Sequence, residues 1–169
     1  FDVLRRWFEE RESAHVFTSN VDGQFQKAGI DESVYECHGS IHRLQCAACN
    51  KVWSADDTVV EVDENTMRAN EETVPRCESC ASRIARPNIL MFNDFDYVDA
   101  SPADTTRQWL MNVTASDELA VVDLGSGTAV PTCRMTSEAV AASIPGASLV
   151  RINIREPDCG DDGVGIPLG

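Results

Sequence analysis

Residues 16–29 read VFTSNVDGQFQKAG and residues 34–49 read VYECHGSIHRLQCAAC, and the fold turns on these two stretches. Val16-Phe17-Thr18 is a short apolar strand that runs into the polar turn Ser19 to Gly23. A short helix follows, then a second strand, Val34 to Cys37, ending at His38-Gly39. Open α/β sheets place their ligands at the carboxyl ends of strands, where this polar turn stands. Read alone, Asn20 and Asp22 are turn formers that bond their own backbone. Cys37 and His38 should face opposite sides if the strand persists that far, so they do not form a nucleophilic pair. Gly39 allows a tight turn that leaves the imidazole of His38 exposed. A histidine titrates near neutrality, which suits a general base.

The second stretch ends in half of a metal site. Cys46-x-x-Cys49 and Cys77-x-x-Cys80 are two knuckles whose four thiolates make the tetrahedral set zinc prefers. Four cysteines leave no open position for water, so the zinc is expected to be structural. Its binding supplies roughly 10–16 kcal/mol towards ordering the segment. With four cysteines present, His42 is not expected to be a ligand. Cys37, Cys133 and Cys159 are left over from the seven cysteines. With no secretion signal visible, these read as reduced or metal-bound rather than disulfide-forming.

Strand, polar turn, histidine and knuckle in this order resemble the sirtuins, NAD-dependent protein deacylases whose segments read roughly TQNID-x-LH-x-x-AG and HG before the first zinc cysteines. The likeness is carried by Thr18, Asn20, Asp22, Ala28, Gly29, His38 and Gly39, and it departs at Ser19 and at Gln24-Phe25. The resemblance implies a Rossmann-like α/β fold: a parallel sheet formed by 1–41 and 87–169, with an inserted small four-cysteine zinc-ribbon subdomain at 42–86. It implies that His38 takes a proton from a ribose hydroxyl of NAD as the acyl group of a lysine passes to ADP-ribose and nicotinamide leaves. Asn20 joins His38 in catalysis, and Thr18, Ser19, Asn20 and Asp22 form the nicotinamide and ribose pocket.

Further along, Phe1 to Arg11 has the spacing of an amphipathic helix covering a sheet. His15 reads as an ordinary strand-edge histidine. Arg86 to Asp94 reads as an apolar strand and is similar to the sirtuin run P-x-V-V-x-F-G-E, with Asn93-Asp94 replacing Gly-Glu. By that likeness Met91, Phe92, Asn93 and, later, Val130 contact an acylated-lysine peptide or protein added as a strand. Ser101-Pro102 starts a helix with Trp109, Leu110 and Val113 as its buried stripe. Leu119 to Val122 reads as a buried parallel strand opening into Asp123-Leu124-Gly125-Ser126-Gly127-Thr128. A small-residue turn of this kind lets backbone N–H groups approach a phosphate or a ribose. It resembles the family's GTS-x-x-V-x-P, one residue shorter, and implies that Gly125, Ser126 and Gly127 hold the dinucleotide. Leu149 to Asn153 resembles V-x-I-N, whose Asn, here Asn153, contacts the adenosine ribose. The tail from Asp158 to Gly169 reads as a loop.

The bulk composition limits the alternatives. The 169 residues carry 28 acidic and 14 basic side chains, a net charge of −14, with 43% hydrophobic content. A surface so acidic argues against a nucleic-acid partner. No apolar run approaches a membrane span, so no membrane partner and a cytoplasmic location are expected. The chain opens at Phe1 and stops at GVGIPLG, and no sirtuin-like GAG-x-S or G-I-P-D-F-R loop stands in it. We therefore expect a piece of a larger enzyme that binds zinc but, alone, binds NAD weakly or not at all and turns over poorly. Two other functions stay open: an NAD-consuming ADP-ribosyltransferase or glycohydrolase on the same scaffold, and a non-enzymatic zinc-ribbon interaction module.

Overall fold

A computed structural model of the chain describes residues 1–30, 33–80, 84–101, 105–114, 116–160 and 163–168. It divides into two compact units, Phe1–Thr105 and Thr106–Gly169. The architecture is α/β, with parallel strands in both units and an antiparallel cysteine-bearing module within the first.

In the first unit, α1 (Asp2–Glu10) precedes β1 (Val16–Thr18), α2 (Gln24–Lys27) and β2 (Val34–Glu36). β1 and β2 run parallel with Thr18 opposite Glu36. The second strand stops one residue earlier than the sequence suggests, because Cys37 and His38 turn so that β3 (Gly39–Cys46) can start. Gly39 makes that turn possible: its φ is +81°, and a Cβ there would collide with the carbonyl of Asn88. α1 covers less than expected. Val3 and Trp7 on its apolar side remain exposed, while Phe1 meets the edge of Phe25 at 5.3 Å. His15 is half-buried, and burial lowers its proton affinity.

β3 is the centre of an antiparallel sheet in the order β4 (Val52–Ser54), β3, β7 (Ala85–Ile89). Between β4 and β7 a small hairpin, β5 (Val62–Asp63) and β6 (Arg68–Ala69), makes a solvent-exposed excursion. The apolar run expected as a strand through Asp94 ends at Ile89. Asp94 accepts from the N–H of Met91 and from Arg86, and Asn93 takes a left-handed φ of +58°. Met91, Phe92 and Asn93 therefore lie in a turn and not in a strand, with Phe92 84% exposed.

α3 (Thr105–Met111) has all but its first residue in the second unit, and its expected start at Pro102 lies outside the described residues. Trp109, Leu110 and Val113 are half-buried rather than buried. β8 (Ala120–Leu124), β9 (Ser148–Asn153) and β10 (Gly163–Pro167) form a parallel sheet in the order β10, β9, β8, with α4 (Thr132–Ser143) between β8 and β9. β8 is parallel as expected, but only Asp123 in it is buried. β10 corrects the reading of the tail as a loop. Its glycines are needed because loop 157–159 crosses it: a Cβ on Gly165 would strike the carbonyl of Pro157, and one on Gly163 would stand 2.5 Å from the Cys159 sulfur. Among the described residues no helix is long and apolar enough to cross a membrane.

Candidate functional site

In the first unit the parallel register fixes the geometry. With Thr18 opposite Glu36, residues two beyond each strand, Asn20 and His38, leave the same end of the β1–β2 pair. Three backbone hydrogen bonds hold the surrounding segments together. Cys37 N–H donates to the carbonyl of Thr18 (2.9 Å), Ile41 N–H to that of Val21 (2.9 Å) and Leu90 N–H to that of His38 (2.9 Å). Turn 19–23, His38 and the turn after β7 thus meet at one edge. Thr18 is buried and its hydroxyl accepts from Asn20 N–H (3.1 Å), whereas Asn20 and Asp22 are exposed. Asp22 also accepts from Gln24 N–H (3.3 Å) at the start of α2.

Two supports here had no signal in the motifs. The ring of His42 lies against Gly23, 2.6 Å from where a Cβ would stand, and its Nε2 is 3.3 Å from the carbonyl of Asp22. A buried amide pair, Gln45 and Asn88, closes the base of loop 90–98. Asn88 Nδ2 donates to Gln45 Oε1 (2.9 Å) and to the carbonyl of Val98 (2.9 Å). Gln45 Oε1 accepts from Val98 N–H (3.1 Å), and Gln45 Nε2 donates to the carbonyl of Asp96 (2.5 Å). Both side chains are fully buried, and this pairing satisfies both atoms of the Gln45 amide and the Asn88 Nδ2, while Asn88 Oδ1 has no partner among the described residues. Nothing in the local sequence marks them as partners.

The sulfurs of Cys46, Cys49, Cys77 and Cys80 lie within 4.8 Å of one another. Those of Cys49 and Cys77 are 3.7 Å apart, close to the roughly 3.8 Å edge of a zinc tetrahedron with ~2.3 Å Zn–S bonds. The first knuckle points the N–H groups of Ala48 (3.3 Å) and Cys49 (3.4 Å) at the Cys46 sulfur. The Cys49 N–H and then that of Ala48 pull the Cys46 thiol down to about 6. The Cys80 thiol, facing Cys49 first and then burial, is pushed up to about 12. The set fits one zinc ion with no open position, and His42 is engaged elsewhere.

The second unit has its own polar centre. Asp123 and Arg151 are register partners on β8 and β9. Asp123 Oδ2 accepts from Arg151 Nε (2.9 Å), Ser126 Oγ (2.6 Å) and Ser137 Oγ (2.8 Å). Burial alone would raise the Asp123 carboxyl, but the two serines and the guanidinium outweigh it and hold it below the usual carboxylate range. Past the strands, Asn153 Nδ2 donates to the carbonyl of Ser126 (2.9 Å), and Glu156 accepts from the N–H (2.9 Å) and hydroxyl (2.6 Å) of Thr128. The two loops carrying Gly125, Ser126, Gly127 and Asn153 are thereby latched together.

This arrangement narrows what the turn can hold. Gly125 N–H is taken by the carbonyl of Ile152 (2.9 Å), Ser126 N–H by Asp123 (3.4 Å) and Thr128 N–H by Glu156. A phosphate would meet occupied donors and two carboxylates, whereas a ribose hydroxyl finds acceptors. The residues fit the ribose part of a dinucleotide. Val130 is exposed beyond this turn.

A model of the Sir2 family matches residues 1–130. The NAD-dependent protein deacylase 2 of Pyrobaculum aerophilum is 33% identical over 140 residues, covering 83% of this chain and 47% of that protein. An NAD-dependent protein deacetylase of Clostridium acetobutylicum is 33% identical over 79 residues, covering 47% of this chain and 28% of that protein. The chain thus spans less than half the length of these curated relatives. Among solved structures, one described as showing the structural basis of sirtuin substrate affinity has a TM-score of 0.64 at 25% identity, covering 95% of this chain and 59% of that one. Sir2Tm bound to a propionylated peptide has a TM-score of 0.61 at 25% identity, covering 95% of this chain and 61% of that one.

Proposed function

The chain belongs to the Sir2 family, and from that premise we propose that it serves an NAD-dependent protein lysine deacylase, a transferase that passes the acyl group to ADP-ribose. One observation carries the reading: turn 19–23, His38 and the turn after β7 are tied to one edge of the parallel β1–β2 pair. NAD, when bound, supplies the ribose carbon that nicotinamide leaves and the acyl oxygen attacks. His38 would accept a proton from a ribose hydroxyl through its imidazole. Thr18, Ser19, Asn20 and Asp22 would line the nicotinamide and ribose pocket, with Asn20 beside His38 in catalysis. Gly125, Ser126, Gly127 and Asn153 would hold the adenosine side. Met91, Phe92, Asn93 and Val130 would meet the acylated-lysine peptide.

In this reading residues 42–86 are the zinc-binding subdomain, inserted between 1–41 and 87–169, with Cys46, Cys49, Cys77 and Cys80 as ligands. A cytoplasmic location belongs to the same proposal. His38→Ala tests it: NAD-dependent deacylation should vanish while the melting transition persists, and full activity in the folded variant refutes the assignment. Nicotinamide release without any acylated peptide would point instead to a glycohydrolase or ADP-ribosyltransferase. Zinc binding without either activity would leave an interaction module.

A further inference from the structure

We propose that the hairpin between the zinc knuckles docks a partner protein, taking an extended basic segment in which lysines or arginines alternate with aliphatic residues. The inference stands apart from the deacylase reading, since it needs neither NAD nor an acylated lysine. β5 and β6 pair with each other, Val62 opposite Ala69 and Asp63 opposite Arg68, and form a two-stranded sheet by themselves. Among the described residues both strands therefore keep an open edge to which a third strand can add. Every residue from 59 to 72 is exposed. Val59 at 79%, Val62 at 51% and Met67 at 78% are apolar side chains that the fold leaves in water.

The hairpin is ordered by its own polar groups. Asp63 Oδ1 accepts from the N–H groups of Asn65 (2.8 Å) and Thr66 (3.2 Å), and Asn70 N–H donates to the carbonyl of Glu61 (2.8 Å). Strands fixed in this way before a partner arrives lower the ordering cost of docking. A cleft of about 450 Å³ opens on the hairpin, with Val62 and Ala69 beside Glu61 and Asp63. Charge decides the occupant. Residues 56–72 carry seven carboxylates and one cation, Arg68. Like charge turns away a second copy of this chain, whose net charge is −14, and equally an anionic membrane or a nucleic acid. A basic segment neutralises the carboxylates while its aliphatic residues cover the valines. The Asn65 N–H and then that of Thr66 hold the Asp63 carboxyl below the usual carboxylate range, which keeps it charged.

The test uses the zinc-loaded chain and three fluorescent peptides of equal length, alternating Lys–Val, Lys–Ser and Glu–Val, none of them acylated. At low ionic strength, anisotropy should show the Lys–Val peptide binding about tenfold more tightly than Lys–Ser, with no binding of Glu–Val. Hydrogen exchange with the Lys–Val peptide bound should protect residues 59–72 more than any other exposed segment. Glu64→Lys reverses a charge in the turn after β5 and should weaken the Lys–Val peptide about fivefold. Val60→Thr combined with Val62→Thr should weaken it about tenfold and leave Lys–Ser unchanged. Zinc content and a melting curve like those of the parent chain show that each variant folds, and either variant alone decides the matter. Equal binding of Lys–Val and Lys–Ser, protection spread over other acidic segments, or unchanged affinity in a folded variant reduces the effect to overall charge and overturns the proposal. Failure of the Lys–Val peptide to bind overturns it as well. None of these outcomes bears on acyl transfer.

Discussion

Asp123 and Arg151 face each other across neighbouring parallel strands, joined at 2.9 Å, with the guanidinium wholly shielded from solvent. Arg151 has a second carboxylate at Glu138 (3.0 Å), but removing Arg151 takes the cation from the buried Asp123, which costs about 3–5 kcal/mol, while replacing both with packed apolar residues costs far less. Arg151→Met should therefore destabilise the second unit more than the double variant with Asp123→Leu does. Chemical denaturation of the three proteins measures this, and an equal loss in single and double variants would contradict it.

The same carboxylate sets an acid limit. Asp123 is held below its ordinary value in the folded chain. Its contribution to stability is present above the unfolded value of about 3.9 and is lost as pH falls through the lower folded value. Stability of the second unit should decline from about pH 4 downward. Asp123→Asn should shed that part of the dependence, as read by denaturation midpoints across an acid series.

Chelation should act on the first unit. A structural zinc contributes on the order of 10 kcal/mol to the order of its module, and β3 carries Cys46 at its end. A strong chelator or Cys77→Ser should release the protected amides of β3, β4 and β7 while those of β8 and β9 keep their protection. Hydrogen exchange followed segment by segment decides the matter.

Two glycines with the same backbone angle give a controlled comparison. Gly29 and Gly39 both have φ of +81°, but a Cβ on Gly29 meets nothing within 4 Å, whereas one on Gly39 runs into Asn88. Gly29→Ala should cost roughly 1 kcal/mol. Gly39→Ala should cost more than about 3 kcal/mol. Melting of the two variants side by side checks the order.

Gln45→Met should loosen the loop beneath the exposed Phe92 and Phe95. It orphans the N–H of Val98 and part of Asn88 in a buried place, at about 1–3 kcal/mol for each group left unpaired. The Val98 amide, which donates to Gln45 Oε1, should show the largest rise in exchange rate. Unaltered exchange there would refute the clamp.

Most of the first unit was legible in the sequence because its signals are local. Thr18 to Asp22, His38-Gly39 and the cysteine knuckles are contiguous motifs whose spacing dictates a turn or a ligand set. The strand of residues 86–94 was overextended because apolar runs do not show where a polar cap such as Asp94 ends them. β10 was missed for the opposite reason: Gly163, Gly165 and Pro167 look like a loop until the chain crossing above them is seen. The Asp123–Arg151 pair and the Glu156–Thr128 latch join residues 28 apart in each case, and no local pattern links residues at that distance. The partners of the Gly125 turn are equally hard to see in sequence, since Gly125 N–H goes to the carbonyl of Ile152 and Thr128 N–H to Glu156.

The eight residues of β3 run from Gly39, next to His38, to the thiolate of Cys46. The pairing with β7 shifts register between Ser40 and Leu44; beyond that shift, adding or deleting one residue would exchange the two faces, turning Gln45 away from Asn88 or Cys46 away from its fellow sulfurs. The excursion between the knuckles is free of this constraint, because it leaves and returns through fixed cysteines. Length variation among natural or engineered versions of this protein should therefore accumulate at residues 56–72, while β3 keeps its count.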